Sequence, residues 1–201
     1  MKKLVISAVS VILCALALVF FPVRGEEKIY GGVVRLHVIA ASDGEEDQSL
    51  KLAVRDGVLD ALRGPLSDVR DADGAEAAIT DSLDDVRRAA ERTLRAAGSE
   101  DAVAVALSRE EYPARYYGAF SLPGGEYASL RVTIGSGEGK NWWCIVFPSF
   151  CTACAEKAED DFLSSGFTRD QYGVVDNGSG TKYRVRFRIL EIFASLFGFE
   201  Y

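Results

Sequence analysis

Apolar residues first alternate along the chain and then adopt helical spacing. Residues 33–40 alternate between an apolar face and a face that carries Arg35 and His37. This twofold period predicts a strand with one face in the core. Apolar positions then recur every three or four residues over 50–62, and again over 79–94. Both stretches therefore predict helices with one buried side.

Beyond Gly98 the period returns to twofold. Short runs rich in β-branched and aromatic residues, separated by turns that contain glycine or proline, predict further strands. These strands cover residues 102–107, 116–120, 128–134 and 142–147. The resulting order, β-α-α-β-β-β, predicts a single α+β domain in which two helices pack on a mainly antiparallel sheet.

The two ends of the chain differ from its centre. Residues 4–21 carry no charge and follow two lysines, which indicates a signal peptide or an N-terminal membrane anchor. Near the other end, an acidic and glycine-containing stretch predicts a flexible segment, and the apolar spacing beyond it predicts an amphipathic helix. The predicted organisation is a signal peptide or anchor (1–25), a linker (26–32), a folded α+β domain (33–154), an acidic flexible segment (155–182) and a C-terminal helix (183–201).

The chain is acidic, with a formal net charge of -7 over 201 residues. The first 25 residues contain basic side chains and no acidic ones, so the remainder is more acidic still. An acidic body repels the phosphates of nucleic acids and anionic membrane surfaces. We therefore expect no nucleic-acid partner, and membrane contact only through the N-terminal segment. That segment also predicts that the rest of the chain is exported.

If the chain is exported, its cysteines can form disulfide bonds, because disulfides persist outside the cytoplasm. Cys144, Cys151 and Cys154 lie beyond the N-terminal segment, so any bridge among them leaves one thiol over. We favour a structural bridge between Cys144 and Cys151 across the bend at Pro148. The alternative is a thiol–disulfide exchange site, because Cys151 and Cys154 have the Cys-x-x-Cys spacing of redox proteins.

Little in the sequence points to catalysis. His37 is the only histidine, so a hydrolytic triad would need it as the base. We favour a structural histidine that donates to a backbone carbonyl. The glycine-rich residues 135–140 resemble a phosphate-binding loop, but a strand pattern follows them where such a loop needs a helix. The sequence predicts no cofactor, no metal site and no catalytic residues.

The stretch GKNWWC contains the only two tryptophans. Adjacent side chains of a strand face opposite sides of the sheet, so Trp142 and Trp143 cannot enter the same core. Either the outward ring is covered by another element, or it belongs to an interface, where tryptophan is a leading hot-spot residue. The sequence leaves both alternatives open.

Several ordered motifs carry a resemblance to a known family. They are RLHVIA at 35–40, SD at 42–43, LKLAVRD at 50–56, YPAR at 112–115, GKNWWC at 139–144 and VFP at 146–148. Over residues 33–151 the chain resembles stage II sporulation protein R. The resemblance implies an exported signal and not an enzyme.

Proteins of that family are made in the forespore and exported into the space between the forespore and mother-cell membranes. There they activate a membrane-embedded aspartic-type protease, stage II sporulation protein GA, which processes the precursor of the mother-cell sigma factor E. We take as receptor-contact candidates Trp142, Trp143, Arg35, His37, Tyr112, Arg115 and Asn141. The alternatives are an exported thiol–disulfide or hydrolytic enzyme, and a cell-envelope protein that binds a wall polymer.

Overall fold

The computed structural model describes residues 29–117, 120–148 and 158–176. They form a single α+β domain, which confirms the predicted fold class. Its elements in chain order are β1 (Val34–Ile39), α1 (Glu45–Arg63), α2 (Ala72–Asp81), α3 (Leu83–Ala96), β2 (Val103–Tyr112), β3 (Arg115–Tyr116), β4 (Ser121–Leu122), β5 (Gly125–Ile134), β6 (Asn141–Phe147), α4 (Ala158–Ser164) and α5 (Arg169–Val175).

Four strands form the central sheet in the order β2-β5-β1-β6, while β3 and β4 pair with each other. The outer pairs, β2 with β5 and β1 with β6, are antiparallel. The central pair, β1 with β5, is parallel. The sheet is therefore mainly antiparallel, as predicted. The register places His37 between Arg131 on β5 and Trp143 on β6.

One face of the sheet packs against α1, α2 and α3. Val34, Leu36 and Val38 of β1 are fully buried there, as their alternation predicted. Val54 and Val58 of α1 belong to the same apolar cluster. Full burial of one such side chain stabilises the fold by about 1.5–3 kcal/mol. This layer holds the domain together and fixes the position of β1.

The second predicted helix is two helices, because the chain is interrupted at Ser82. The Ser82 N–H donates to the Ile79 carbonyl at 3.0 Å, and its hydroxyl donates to the Ala78 carbonyl at 2.7 Å. A hydroxyl that bonds to the carbonyl four residues earlier competes with the backbone ladder and bends a helix. The prediction of two helices on the sheet is therefore corrected to three.

The opposite face of the sheet is partly covered by a second apolar cluster. Phe162 of α4 is fully buried there, with its ring 5.4 Å from the Phe120 ring and 5.0 Å from the Phe167 ring. Two helices thus stand where the acidic composition predicted a flexible segment, because aromatic residues among the acidic ones supply the burial. Ile29, from the predicted linker, is also fully buried in this cluster.

Other expectations fall outside the described residues. These are the signal peptide or anchor over 1–25, the cysteines at 151 and 154, and the C-terminal helix over 183–201. Among the helices that the structure describes, none combines the length and the apolar character needed to cross a membrane. Within the same ranges, no group of His, Cys, Asp and Glu side chains is arranged to hold a metal ion.

Candidate functional site

Six of the seven candidate residues gather on the sheet face that lies opposite α1, α2 and α3. Alternation along β1 directs two of them to this face, and the register with β6 places two more beside them. The last two come from the end of β2 and from β3. The six are Arg35, His37, Tyr112, Arg115, Asn141 and Trp143. Residues as far apart in sequence as His37 and Asn141, which are 104 positions apart, therefore form one cluster.

Arg35 is fully buried at the centre of this face. Its Nε donates to the Cys144 carbonyl at 3.1 Å, and one terminal nitrogen donates to the Tyr117 hydroxyl at 2.7 Å. Its guanidinium carbon lies 4.2 Å from the centre of the Tyr112 ring and 5.1 Å from that of Tyr127. Cation–π contacts of this kind gain strength when water is excluded. Arg35 is thus held by aromatic rings and oxygen acceptors.

Two of the tyrosines beside Arg35, Tyr112 and Tyr117, are neutral. Burial raises the pKa of Tyr112, and this effect outweighs the opposing influence of its hydrogen bond to Ser129 and of the Arg35 charge. Burial likewise raises the pKa of Tyr117, against the opposing charges of Arg35 and Arg115. The rings therefore serve Arg35 as neutral π faces and hydroxyl acceptors, and not as counter-ions.

His37 bridges β2 and β6 through its two ring nitrogens. Nδ1 donates to Glu110 Oε2 at 3.0 Å, and Nε2 lies 2.8 Å from the side-chain oxygen of Asn141. The favoured expectation of a bond to a backbone carbonyl is therefore wrong, since both partners are side chains. The Trp143 ring lies 5.8 Å from the imidazole, centre to centre. His37 thereby fixes the positions of two residues on β6.

Glu110 is the carboxylate of the cluster. It accepts from His37 and from the Ser129 hydroxyl at 2.8 Å, and it forms an ion pair with Arg131. Burial alone would raise the pKa of Glu110, but the two hydrogen bonds and the neighbouring charges outweigh it and hold that pKa below its ordinary value. Glu110 is therefore ionised when the domain is folded at neutral pH.

Glu110→Gln is expected to lower the free energy of unfolding at neutral pH by about 1–3 kcal/mol, because it weakens a partly buried charged network. A carboxyl with a depressed folded pKa stabilises the fold above its unfolded pKa of roughly 4.3. That stability is lost as pH falls through the folded pKa. Urea unfolding at a series of pH values should show the wild-type advantage shrinking below about pH 4.

The matched control for this prediction is Glu126→Gln, since Glu126 is an exposed carboxylate on the neighbouring strand β5. It should change the free energy of unfolding by no more than about 0.5 kcal/mol. Equal acid sensitivity in the wild type and the Glu110→Gln variant would contradict the role assigned to the network.

Trp143 lies at the outer limit of this network. The Arg115 guanidinium carbon is 4.1 Å from the centre of its ring. The ring is partly buried, and it packs against the second apolar cluster. Tyr116, next to Arg115 on β3, is 72% exposed. The network therefore supports an arginine–tryptophan stack at the surface.

Trp142 lies on the helix-facing side of β6, as the alternation of a strand requires. Its side chain is 36% exposed. The Arg55 guanidinium carbon of α1 lies 4.7 Å from the centre of the ring. The two tryptophans thus form two arginine stacks, one on each face of β6. Neither of the sequence alternatives describes them fully, because each ring is partly covered and partly open.

The turn before β6 is fastened to the start of α1. The Lys140 N–H donates to Asp43 Oδ1 at 2.8 Å, and the buried Lys51 ammonium donates to the Lys140 carbonyl at 3.1 Å. Burial lowers the pKa of Lys51, although the Asp43 charge opposes this change. Gly139 lies so close to Ser42 that a Cβ at this position would approach the Ser42 carbonyl oxygen to 2.2 Å. These contacts position Asn141 for its contact with His37.

Cys144 is buried and takes part in a disulfide bond. Cys151, its predicted partner, lies outside the described residues, so the pairing of these two cysteines stays a prediction. The Cys144 carbonyl is also the acceptor for Arg35 Nε. Cys144 therefore connects the buried arginine to the edge strand of the sheet.

The cluster does not have the geometry of a hydrolytic triad. The Ser129 hydroxyl donates to Glu110 and contacts the Tyr112 hydroxyl at 2.6 Å, so it is not directed at His37. The second nitrogen of His37 faces Asn141. A triad requires the base to contact the nucleophile. Within the described residues this arrangement organises a surface, because its polar groups bond mainly to one another.

Sequence reasoning missed several members of the site. Glu110 was missed because β2 was predicted to end at residue 107, whereas it continues to Tyr112. The charged run before Tyr112 hides the alternation of a strand. Extending the twofold period through residues 108–112 would have placed these residues opposite β5. The missed residues are Glu110, Tyr117, Tyr127, Ser129 and Arg131.

The comparisons with known proteins identify a family. The family model described as "Stage II sporulation protein R" matches residues 31–157, which include every strand of the central sheet. Stage II sporulation protein R of Bacillus subtilis (strain 168) is 32% identical over 118 residues, and the match covers 59% of this chain and 53% of that relative. The chain thus matches about half the length of that relative. No solved structure gives a significant match. Because the family model covers more than half of the sequence, the chain belongs to the stage II sporulation protein R family.

Proposed function

We propose that the chain is an exported signal of endospore formation. In this proposal it is made in the forespore and acts between the forespore and mother-cell membranes. It activates a membrane-embedded aspartic-type protease of the stage II sporulation protein GA kind. That protease then processes the precursor of sigma factor E. The chain itself is a protein ligand and performs no catalysis.

The family membership carries this proposal, because the family match and the site coincide. The matched residues, 31–157, contain all seven candidate side chains. The contacts of Arg35 and His37 connect β1 to its neighbour β6 and, across β5, to β2. Such a preorganised surface suits recognition, since little side-chain entropy is lost when a partner binds.

The direct test reconstitutes the signal outside a sporulating cell. The full-length chain is co-produced in a non-sporulating bacterium with the receptor protease and the sigma-factor precursor. Cleavage of the precursor that requires the chain supports the proposal. Absence of cleavage, with a protease that is active when dimerised artificially and a chain that is exported and folded, overturns it.

Trp143→Ala is expected to lower the rate of precursor cleavage by about 30-fold, because an interface tryptophan typically contributes 2 kcal/mol or more. Trp143→Phe, which keeps a ring under Arg115, should retain more activity than Trp143→Ala. The readout is the half-time of precursor cleavage at equal levels of exported protein.

Two controls separate this loss from unfolding. Thermal unfolding of each variant shows whether the domain is folded at the assay temperature. Arg92→Ala, an exposed change on α3, should leave the cleavage rate unchanged. If both Trp142→Ala and Trp143→Ala activate as fast as the wild type, the tryptophans are not part of the contact.

A further inference from the structure

We infer that the receptor binds through an acidic, apolar-containing segment at the edge of β6 that has no strand partner among the described residues. The contact surface, called here the edge patch, consists of Leu52, Arg55, Trp142, Trp143, Arg115 and Tyr116. This inference rests on the proposed function and adds to it the place and the chemistry of the contact.

Three large apolar side chains of the described residues are exposed, and each belongs to an arginine–tryptophan stack of β6 or is a close neighbour in sequence of its arginine. They are Leu52, Tyr116 and Trp142. Leu52 stands one helical turn before Arg55, so the two are neighbours on the surface of α1. Arg55 lies over the Trp142 ring. On the other face of β6, Arg115 lies over the Trp143 ring, and Tyr116 follows Arg115 in the chain. Grouped exposed apolar residues mark interaction sites, whereas single ones do not.

Strand β6 lies between the two arginine–tryptophan stacks, and one of its edges pairs with no strand among the described residues. There β6 is the last strand of the sheet and pairs only with β1. Its first three residues, from Asn141 to Trp143, are exposed or partly exposed, whereas Cys144 and the residues up to Phe147 are buried. A partner segment that crosses the start of β6 therefore reaches both tryptophans at once.

The charge of the edge patch opposes the charge of the molecule. The chain carries a net charge of -7, and the patch contains two arginines. Arg55 pairs with Asp56 at 2.7 Å, so the uncompensated positive charge of the patch comes from Arg115. No carboxylate in the described ranges lies within 4.0 Å of Arg115, whereas Arg87 and Arg88 on α3 pair with Asp84 and Asp85. An acidic segment complements this surface.

The stacking also distinguishes a protein segment from a wall polymer. A sugar binds an aromatic side chain through the open face of its ring. The Trp143 ring already has the Arg115 guanidinium and the His37 ring as neighbours, and the Trp142 ring has the Arg55 guanidinium. The Arg55 guanidinium already donates to Asp56, whereas the Arg115 guanidinium has no carboxylate partner in the described ranges. A guanidinium donates to a carboxylate in pairs of hydrogen bonds, so Arg115 is the group suited to a carboxylate of a partner. The observations therefore favour carboxylates of a protein partner.

The test uses charge substitutions at Tyr116, whose side chain is mostly exposed. Tyr116→Asp and Tyr116→Lys remove the same ring and differ in the sign of the added charge. Ala77→Asp and Ala77→Lys, on the exposed side of α2, are matched controls. Each full-length variant is titrated onto membrane vesicles that contain the receptor protease, and bound chain and precursor cleavage are both measured.

We expect Tyr116→Asp to weaken binding by about tenfold or more, because like charges placed opposite each other are strongly unfavourable. Tyr116→Lys should bind at least several-fold more tightly than Tyr116→Asp, and both Ala77 variants should bind like the wild type. Equal affinities of the two Tyr116 variants would overturn the acidic character of the partner. Wild-type affinity in both would overturn the edge patch itself.

The wild-type chain separates this inference from the proposed function. If it binds the vesicles and triggers cleavage while Tyr116→Asp and Tyr116→Lys both bind like the wild type, the proposed function stands and the edge patch is wrong. If the wild-type chain neither binds nor triggers cleavage, the proposed function fails and the edge patch loses its receptor. Binding to peptidoglycan that is abolished by Tyr116→Asp and Tyr116→Lys alike would instead assign the patch to a wall polymer.

Discussion

Gly139→Ala is expected to destabilise the domain by about 2–3 kcal/mol, because the position has no room for a side chain. An added Cβ would lie 2.2 Å from the Ser42 carbonyl oxygen, 2.6 Å from the Ser42 carbonyl carbon and 2.9 Å from the Ala40 Cβ. The first two of these atoms belong to the backbone, so the clash cannot be relieved by rotating a side chain. The turn before β6 must move away from the start of α1.

The displacement would reach the candidate site. The Gly139 N–H donates to the Ala40 carbonyl at 3.0 Å, and the following N–H, of Lys140, donates to Asp43 at 2.8 Å. Both bonds hold the residues that lead into β6. We therefore expect Gly139→Ala to loosen the contact of Asn141 with His37 and to lower precursor cleavage together with stability.

Gly64→Ala is the matched control for this prediction. Gly64 ends α1 with φ -67, an ordinary helical conformation, and an added Cβ would have no neighbour within 4 Å. It should change the free energy of unfolding by less than about 0.5 kcal/mol. Urea unfolding of the wild type and both variants measures the two effects. A Gly139→Ala variant as stable as the Gly64→Ala variant would contradict the close approach at Ser42.

The parts of the fold that the sequence predicts are those where a single period persists. The alternation over β1 separates the helix-facing residues from Arg35 and His37, and the structure confirms that separation. The long helical spacing of α1 is confirmed in the same way. In both elements one face is apolar throughout, so burial enforces the pattern residue by residue.

The remaining features depend on contacts between distant residues. The parallel pairing of β1 with β5 follows from how four strands are ordered, and periodicity within one strand does not specify that order. The break at Ser82 depends on one side-chain hydrogen bond. The burial of Phe162 depends on aromatic rings contributed by other segments. Composition alone made the surrounding segment look flexible.

The candidate site, too, could be predicted from the sequence only in part. The motifs that carry the family resemblance identified six residues that the structure brings together, although their chemical roles were not evident from sequence. Glu110 contacts His37 across 73 positions of the chain, and Arg35 contacts Tyr117 across 82. A polar residue in a strand is normally interpreted as solvent-exposed. Only the fold reveals that Arg35 is enclosed and that His37 joins two strands.

Arg35→Ala is expected to lower the free energy of unfolding by about 3–5 kcal/mol. The change removes a fully buried side chain and leaves a cavity among three tyrosine rings. It also removes the donors to the Tyr117 hydroxyl and to the Cys144 carbonyl. An acceptor that loses its partner without gaining water costs about 1–3 kcal/mol. Both losses occur at the junction between β1 and the edge strand β6.

Arg35→Met and Arg35→Lys separate the contributions to this loss. Methionine fills most of the volume without the charge, and burying an apolar side chain avoids the desolvation penalty of a cation. Arg35→Met should therefore be more stable than Arg35→Ala by about 1–3 kcal/mol. Lysine keeps the charge but cannot donate in two directions from a planar group, so it should be less stable than wild type.

The measurement is urea unfolding of the three variants, followed by tryptophan fluorescence because Trp143 lies on the same face as Arg35. An Arg35→Ala variant within 1 kcal/mol of wild type would mean that the arginine is not enclosed as described. An Arg35→Met variant that folds stably yet fails to trigger precursor cleavage would show that the cation organises the surface for recognition. Because Arg35 is buried beneath the tyrosines, such a loss would have to act through the positions of β6 and Tyr117.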